Sequence, residues 1–313
     1  MAENRRTSAL ALRGIVPPIC TPLDEGGAVD VPSLERLAAR LLDAGVSGLF
    51  VLGSTGEAAY LDDAQRRRAV DTVLGVASRS VPVIVGALDT TPNRVIGQVR
   101  ALQRDDIAGW VVTAPFYANV SDDEMARHFE LVASGTDLPV YAYDIPGNTN
   151  RKIPVEVSQD LLERGVVAGI KDSSGALDDF DRLLERLGSS RAGAVLTGSD
   201  TAALRALEAG ADGIVPGLAN VFAELFVVLY DAFMRGESAE ASAAQKEIAT
   251  MSGLFSIGQR HGLARHASEL GALKHVLHAR GVIATPLLAA PLSAYPPEAA
   301  AELEALVGTG ARP

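Results

Sequence analysis

Short apolar runs alternate with longer amphipathic segments along most of this chain. The apolar runs are rich in Val and Ile, lack a clean polar alternation and are bounded by Gly or Pro. They cover residues 14–22, 48–53, 81–87, 109–114, 139–145, 166–170, 194–197 and 213–215. Strands of a parallel sheet have this composition because helices cover both of their faces. The pattern therefore predicts eight buried parallel strands.

An amphipathic segment of helical period follows each run. These segments cover residues 31–44, 62–78, 91–104, 121–134, 155–163, 177–187, 201–209 and 222–235. Ser121 and Glu124 have the spacing of a capping box, and Asp62 is a good N-cap. Eight strand–helix units in series predict an α/β chain folded as a closed (β/α)8 TIM barrel. An open doubly wound sheet is the alternative, although no G-x-G-x-x-G fingerprint follows the first strand.

The remainder of the chain is predicted to be helical. The barrel is expected to span residues 9–236. Residues 237–313 contain three helical segments, at 238–257, 266–279 and 297–307. We expect these segments to form a C-terminal three-helix extension that packs on the barrel and is not a separate domain.

Composition and charge narrow the possible partners. The net charge is −11, which argues against nucleic acid, since phosphate binding needs a basic face. Cys20 is the only cysteine, and the five histidines form no zinc-type motif, so neither a disulfide framework nor a metal site is expected. No apolar stretch has the length of a membrane span or follows the N-terminus as a signal peptide would. These features predict a soluble, cytoplasmic protein that does not interact with membranes.

Lys171 is the most informative candidate for chemistry. It follows the apolar run 166–170 and precedes a polar turn that contains Gly175. In a barrel, this end of a strand is where side chains meet substrate. Partial burial disfavours the charged ammonium, and a neutral amine is a nucleophile. A lysine that extends its amine to solvent is the alternative.

The scarcity of lysine strengthens this interpretation. The chain has only four lysines, and arginine supplies nearly all its other cations; the lysines are Lys152, Lys171, Lys246 and Lys274. A lysine at a strand end in such a chain favours chemistry that arginine cannot perform, such as Schiff-base formation with a carbonyl.

The turn after the second strand has the composition of an anion site. Gly53 and Gly56 bracket the hydroxyl residues Ser54 and Thr55. Successive backbone N–H groups in such a turn, together with the hydroxyls, can hold a carboxylate. An ordinary Gly-rich turn is the alternative.

Polar residues at the other strand ends are weaker candidates. Tyr141 and Tyr143 share one face of the fifth strand, and phenols there can move protons, although a buried tyrosine bonded to backbone is the common case. Tyr117 follows the fourth strand, while Asp200 and Val215 follow or end the last two and either line a pocket or belong to turns. An amine, a carboxylate site and phenols, without metal ligands, suit a 2-oxo acid bound as a protonated imine.

Over nearly its whole length the sequence resembles the dihydrodipicolinate synthase / N-acetylneuraminate lyase family of class I aldolases. The motifs that carry the resemblance run from Gly53 to Glu57, from Tyr143 to Pro146 and from Gly169 to Ser174. The resemblance implies that Lys171 forms the Schiff base, so that a covalent lysine imine takes the place of a cofactor. It also implies that Tyr143 is the proton shuttle.

The resemblance assigns roles to three further residues. Ser54 and Thr55, next to Gly53, would hold the carboxylate of the 2-oxo acid. Tyr117 would reach into the site of a neighbouring subunit, which implies a homo-oligomer, either a dimer or a tetramer.

Some positions depart from the family pattern. Asn148 occupies the place where dihydrodipicolinate synthases carry an arginine, and asparagine cannot form a bidentate ionic clamp. Arg151 can compensate only if the loop is rerouted. Asp200 lies where the lyases bind sugar hydroxyls, and Asp144 replaces an asparagine. Asp200 and the Ser54–Thr55 pair favour the lyase branch, whereas Asp144 departs from the usual residue and the loop 147–150 matches no subfamily.

The leading hypothesis is a Schiff-base aldolase or lyase that joins or cleaves pyruvate, or a related 2-oxo acid, and an aldehyde. A dehydratase of 2-oxo sugar acids would use the same lysine imine. Dihydrodipicolinate synthase proper is disfavoured by Asn148. A non-catalytic keto-acid sensor is the remaining alternative, although it would need neither Lys171 nor Tyr143.

Overall fold

The computed structural model describes residues 12–310 and contains one sheet of parallel strands among these residues. Neighbouring strands follow the order β1-β8-β7-β6-β5-β4-β3-β2. The strands are β1 Gly14–Ile15, β2 Leu49–Val51, β3 Val83–Gly86, β4 Gly109–Thr113, β5 Val140–Asp144, β6 Gly169–Asp172, β7 Ala194–Thr197 and β8 Gly213–Ile214.

A helix follows each strand and covers the outside of the sheet. In chain order the helices are α1 Val31–Asp43, α2 Asp63–Ala77, α3 Pro92–Leu102, α4 Asp122–Ser134, α5 Pro146–Thr149, α6 Val155–Glu163, α7 Leu177–Leu187, α8 Ala203–Glu208, α9 Ala219–Met234, α10 Ser238–Met251, α11 Ile257–Arg260, α12 Arg265–Ala279 and α13 Pro297–Gly310. The short α5 was not predicted. The capping box of α4 is present, since Ser121 and Glu124 exchange their side-chain and backbone hydrogen bonds.

Backbone contacts between the first two strand segments close the sheet into a barrel. The amide of Ile19 donates to the carbonyl of Phe50 at 2.9 Å, and the amide of Phe50 donates to the carbonyl of Pro17 at 2.9 Å. The predicted strand 14–22 is shorter in the structure, because Pro17 and Pro18 have no N–H to continue a ladder with β8. The chain instead turns from β8 to β2, and the predicted TIM barrel is confirmed.

The barrel has an inner and an outer apolar layer. A small buried cluster fills its interior and includes Tyr141 and Tyr143, as their alternation along β5 predicts. A much larger cluster lies between the sheet and the helices. The ring of Tyr141 lies 2.8 Å from the place where a Cβ on Gly169 would be, so β6 must carry glycine there to admit the tyrosine. The inner face of β5 and β6 is therefore where candidate side chains point.

The helices after α9 depart from the predicted segments. The predicted helix 238–257 divides into α10, the 3-10 helix Ser252–Ser256 and the start of α11. No helix in the described range is long and apolar enough to cross a membrane. The division at residue 236 stays a prediction, and residues 9–11 and 311–313 lie outside the described residues.

Candidate active site

Lys171 and Tyr143 lie side by side on neighbouring strands. Their Cα atoms are register partners in the pairing of β5 with β6. The Nζ atom of Lys171 is 4.0 Å from the centroid of the Tyr143 ring and 5.0 Å from that of Phe50. The side chain of Lys171 is buried, yet within residues 12–310 its amine has no hydrogen-bond or ion-pair partner. The amine is thus held by aromatic faces and remains free to react.

The position of Lys171 relative to its strand differs from the prediction, which placed it directly after the strand. Lys171 lies inside β6, which runs from Gly169 to Asp172, and not beyond its end. Gly198 provides the space beside it, because a Cβ there would lie 3.1 Å from Cε of Lys171 and closer still to the Ser173 hydroxyl. A side chain at position 198 would therefore clash with the Ser173 hydroxyl and press against the lysine.

The turn after β2 presents unused backbone donors. The backbone N–H groups of Ser54 and Thr55 make no hydrogen bond to any described residue. Glu57, which ends the motif, is fully buried with φ of 56°. Its carboxylate forms an ion pair with Lys274 of α12 and accepts the amide of Ala289 at 2.7 Å. The buried Glu57 carboxylate thus fixes the turn in place, and the amides of Ser54 and Thr55 remain available to an anion.

A cavity of about 210 Å³ unites most of the predicted site residues. It is lined at the barrel end by Ser54, Thr55, Tyr143, Asn148, Lys171, Asp200 and Val215. Gly53 does not line it; the Phe50 ring lies 2.7 Å from where its Cβ would be, so Gly53 allows the turn to pack. This cavity is the candidate active site.

Tyr117 lies away from this cavity. Its side chain is 99% exposed and its backbone adopts φ of 76°, a left-handed conformation that is strained for a tyrosine. Within a single chain it therefore contacts none of the residues around Lys171.

Asp200 is an unusually placed carboxyl group at the cavity wall. Its Oδ1 atom is buried and has no hydrogen-bond partner among the described residues. Burial raises the pKa of Asp200 to about 7, against the opposing effect of the nearby Leu218 amide and of Lys171. Near neutral pH this carboxyl group can therefore accept or donate a proton.

The charged residues after Tyr143 are engaged elsewhere. Arg151 donates to Asp122 at 2.6 Å and does not line the cavity, so it does not compensate for Asn148. Lys152 binds Asp144 at 2.5 Å and Asp172 at 3.2 Å. Burial raises the pKa of Asp144 to about 6, although its hydrogen bond with Lys152 opposes the shift. This cluster ties β5 to β6 on the opposite side from the reactive pair.

Comparison with known proteins assigns the chain to a family. The model of the dihydrodipicolinate synthetase family matches residues 11–309. The chain belongs to the dihydrodipicolinate synthetase family. An uncharacterised DapA-like lyase of Halobacterium salinarum is 32% identical, over 86% of this chain and 89% of that protein. A 4-hydroxy-tetrahydrodipicolinate synthase of Thermotoga neapolitana is 30% identical, over 75% and 81% of the two chains.

Solved structures of the family share the fold. YagE, a prophage protein of E. coli K12 solved in complex with pyruvate, has a TM-score of 0.88 at 26% identity, covering 95% of this chain and 98% of that one. A dihydrodipicolinate synthase from Bacteroides thetaiotaomicron has a TM-score of 0.88 at 27% identity, with 95% and 98% coverage. The chain is accordingly a carbon–carbon lyase of the dihydrodipicolinate synthetase family.

The cavity contains residues that the sequence did not assign to a role. Ser173, two residues after Lys171, lines it, and so does Gly198, which the sequence placed after the seventh strand either in a pocket or in a turn. Phe255 and the α12 residues Arg265, His266 and Glu269 also line it. No signal in the sequence marked this C-terminal segment, which was expected only to pack on the barrel.

Proposed function

We propose that this lyase forms a Schiff base between Lys171 and a 2-oxo acid, pyruvate or a close relative, and makes or breaks a C–C bond between that acid and an aldehyde. The observation that carries the proposal is the buried, unpaired amine of Lys171 against the ring of Tyr143. An amine without a counter-ion, held against a ring face in the cavity, is placed to attack a carbonyl carbon.

Imine formation follows from the cavity's layout. The carboxylate of the 2-oxo acid binds the free amides and hydroxyls of Ser54 and Thr55. The lone pair of Lys171 adds to the C2 carbonyl, and the carbinolamine hydroxyl leaves as water after it gains a proton. We assign that proton transfer to the hydroxyl of Tyr143, whose ring centroid lies 4.0 Å from the amine.

Cleavage uses the protonated imine as an electron sink. When the C4 hydroxyl of the bound acid loses its proton, the C3–C4 electron pair moves towards the imine nitrogen and the aldehyde leaves. The resulting enamine takes a proton at C3, and water then releases pyruvate and restores Lys171. Bond formation is the same sequence in reverse. The lysine imine supplies the electron sink, so the proposal needs no separate cofactor.

Tyr117 extends the proposal to the assembly. We place its side chain, which is exposed in the single chain, in the cavity of a neighbouring subunit. There it would join Tyr143 in proton transfer, in a homodimer or homotetramer. A cytoplasmic location belongs to the same proposal, since a chain whose single cysteine is the buried Cys20 gains nothing from an oxidising compartment.

A second candidate reaction is dehydration of a 2-oxo sugar acid through the same imine. Asp200 favours it, because an unpaired carboxyl group with a pKa of about 7 can protonate a departing hydroxyl. Cleavage yields pyruvate and an aldehyde, whereas dehydration yields a single deoxygenated 2-oxo acid, so product analysis separates the two. Asn148 lines the cavity at the position where dihydrodipicolinate synthases carry their arginine, so synthesis of dihydrodipicolinate by that arrangement stays disfavoured.

Borohydride trapping tests the proposal. Incubation with pyruvate and borohydride should leave a reduced adduct on Lys171, which peptide mass spectrometry locates. Lys171→Ala should abolish the adduct, while Lys246→Ala, a change at an exposed lysine, should retain it. An adduct on another lysine, or none with pyruvate or any longer 2-oxo acid on folded protein, would contradict the proposal.

A further inference from the structure

The cavity continues beyond the reactive lysine to a mouth built by the C-terminal extension. The first turns of α12 contribute Arg265, His266 and Glu269 to its wall. The reaction at the imine uses none of these side chains. A set of titratable groups at one end of a substrate cavity, remote from the chemistry, is placed to select what occupies that end.

The guanidinium of Arg265 is fixed through its Nε atom, and its two terminal nitrogens are unpaired. Its Nε donates to Glu269 at 2.9 Å. Its terminal nitrogens point at the loop after Tyr143: Nη1 and Nη2 lie 3.3 Å and 3.7 Å from where a Cβ on Gly147 would be. Within residues 12–310 these two nitrogens have no hydrogen-bond partner. The guanidinium therefore lies beside Gly147 with two unpaired nitrogens, and both Arg265 and the next loop residue, Asn148, line the cavity.

The other charged groups near the mouth are accounted for. Arg151 is bound to Asp122, and Lys152 lies between Asp144 and Asp172. His266 stacks on Tyr60 at a centroid distance of 5.9 Å, and burial lowers its pKa, so its ring is neutral at pH 7. Arg265 is therefore the cation at the mouth that can meet a substrate.

We propose that Arg265 is a specificity-determining residue that binds a carboxylate at the distal end of the aldehyde partner. The inference rests on the proposed function, since the aldehyde is the partner of the lysine-bound 2-oxo acid. Arg265 offers the two parallel N–H donors that match a carboxylate. The unpaired Oδ1 of Asp200 accepts a hydroxyl between the two ends.

The charge of the cavity distinguishes a carboxylate from a phosphate. Arg265 supplies one positive charge, and Asp200 and Glu269 lie on the same wall as carboxyl groups. A phosphate dianion would add two negative charges beside them without a further cation. A single carboxylate is the anion that this wall accommodates.

Substrate pairs matched in length test the proposal. Condensation with pyruvate is compared for succinic semialdehyde and butanal, and for glyceraldehyde and its 3-phosphate. Wild-type enzyme should prefer the semialdehyde to butanal. In Arg265→Gln, the ratio of kcat/KM for the semialdehyde to that for butanal should fall at least about tenfold, because a charge-assisted hydrogen-bond pair is lost. Arg151→Gln is the matched control and should keep the wild-type ratio.

A second variant tests the proposal independently, in case Arg265→Gln does not fold. Gly147→Ala pushes a methyl group against Nη1, so the same ratio should fall by a smaller factor. A wild-type enzyme without preference for the semialdehyde, a preference for the phosphate, or an equal loss on both aldehydes would overturn the proposal. Trapping of pyruvate on Lys171 reports separately on the proposed function: if the adduct forms and the selective loss is absent, only the assignment of Arg265 fails.

Discussion

At the scale of single residues, the properties of the site depend on whether each buried charged group has a partner of opposite charge. Lys171 lies against aromatic rings without a counter-ion, whereas Lys152 lies between two carboxylates. The first amine is free for nucleophilic attack, and the second is a structural cation. Asp200 is the opposite case, a carboxyl group that burial keeps protonated up to about pH 7.

The pKa of Asp200 predicts a pH dependence of stability. It is raised from 3.8 to about 7 in the folded chain. Below about pH 4 both the folded and the unfolded chain hold this proton; as the pH rises from 4 through 7 only the folded chain keeps it, so stability falls. Asp200→Asn should remove this slope, so its stability relative to wild type should rise by up to about 4 kcal/mol between pH 4 and pH 8.

Urea unfolding at pH 5 and pH 8 measures the effect. The free energy of unfolding of Asp200→Asn minus that of wild type should be larger at pH 8 than at pH 5. A difference that is the same at both would show that Asp200 titrates normally. Burial lowers the pKa of His128 to about 4, and its contribution to the pH dependence is the same in both proteins.

At the scale of elements, α12 is coupled to the turn that we propose binds the carboxylate. Lys274 of α12 and Glu57 of the turn form an ion pair in which both side chains are fully buried. Lys274 also donates to the carbonyl of Leu287 at 2.7 Å. The same helix carries Arg265, so one element supports the seat for the 2-oxo acid and lines the mouth of the cavity.

The buried pair predicts the effect of removing one partner. Lys274→Met leaves the Glu57 carboxylate buried without its cation, which should lower the free energy of unfolding by about 3–5 kcal/mol. The double variant Glu57→Gln/Lys274→Met should recover much of that loss, because no charge remains. Chemical denaturation of the three proteins measures this, and a double variant that is no more stable than Lys274→Met would contradict it.

At the scale of the whole molecule, the position of Tyr117 distinguishes the single chain from the assembly. A strained backbone and a fully exposed ring are costly features for an isolated chain. The proposed insertion into a neighbour's cavity would account for both, because the partner would bury the ring and use its hydroxyl.

Mixing of two inactive variants tests this arrangement. Lys171→Ala lacks the nucleophile, and Tyr117→Phe lacks the phenol. If Tyr117 acts in the partner's site, subunit exchange creates sites with both wild-type residues and should restore roughly a quarter of wild-type activity. Mixtures no more active than the sum of the separate variants, despite exchange shown by native mass spectrometry, would place Tyr117 outside the partner's site.

The sequence by itself determined the barrel and the reactive end of the site. Buried parallel strands and amphipathic helices each have a characteristic spacing of apolar residues in the local sequence. Eight strand–helix units were therefore predictable. The place of Lys171 at a strand end and the Gly-bracketed turn at Ser54 are also local features. Parallel strands bring their carboxyl ends to one rim, which is why residues far apart in the chain could be assigned to one cavity.

Only the tertiary structure decided how remote segments meet. Pro17 and Pro18 transfer the chain from β8 to β2, which shortened the predicted first strand. The pairing of Arg151 with Asp122 and the entry of Arg265 into the cavity depend on which face of a helix packs where. Helical period shows that a helix has an apolar face, but not which loop or cavity lies beside its polar residues, because that is set by packing between elements distant in sequence.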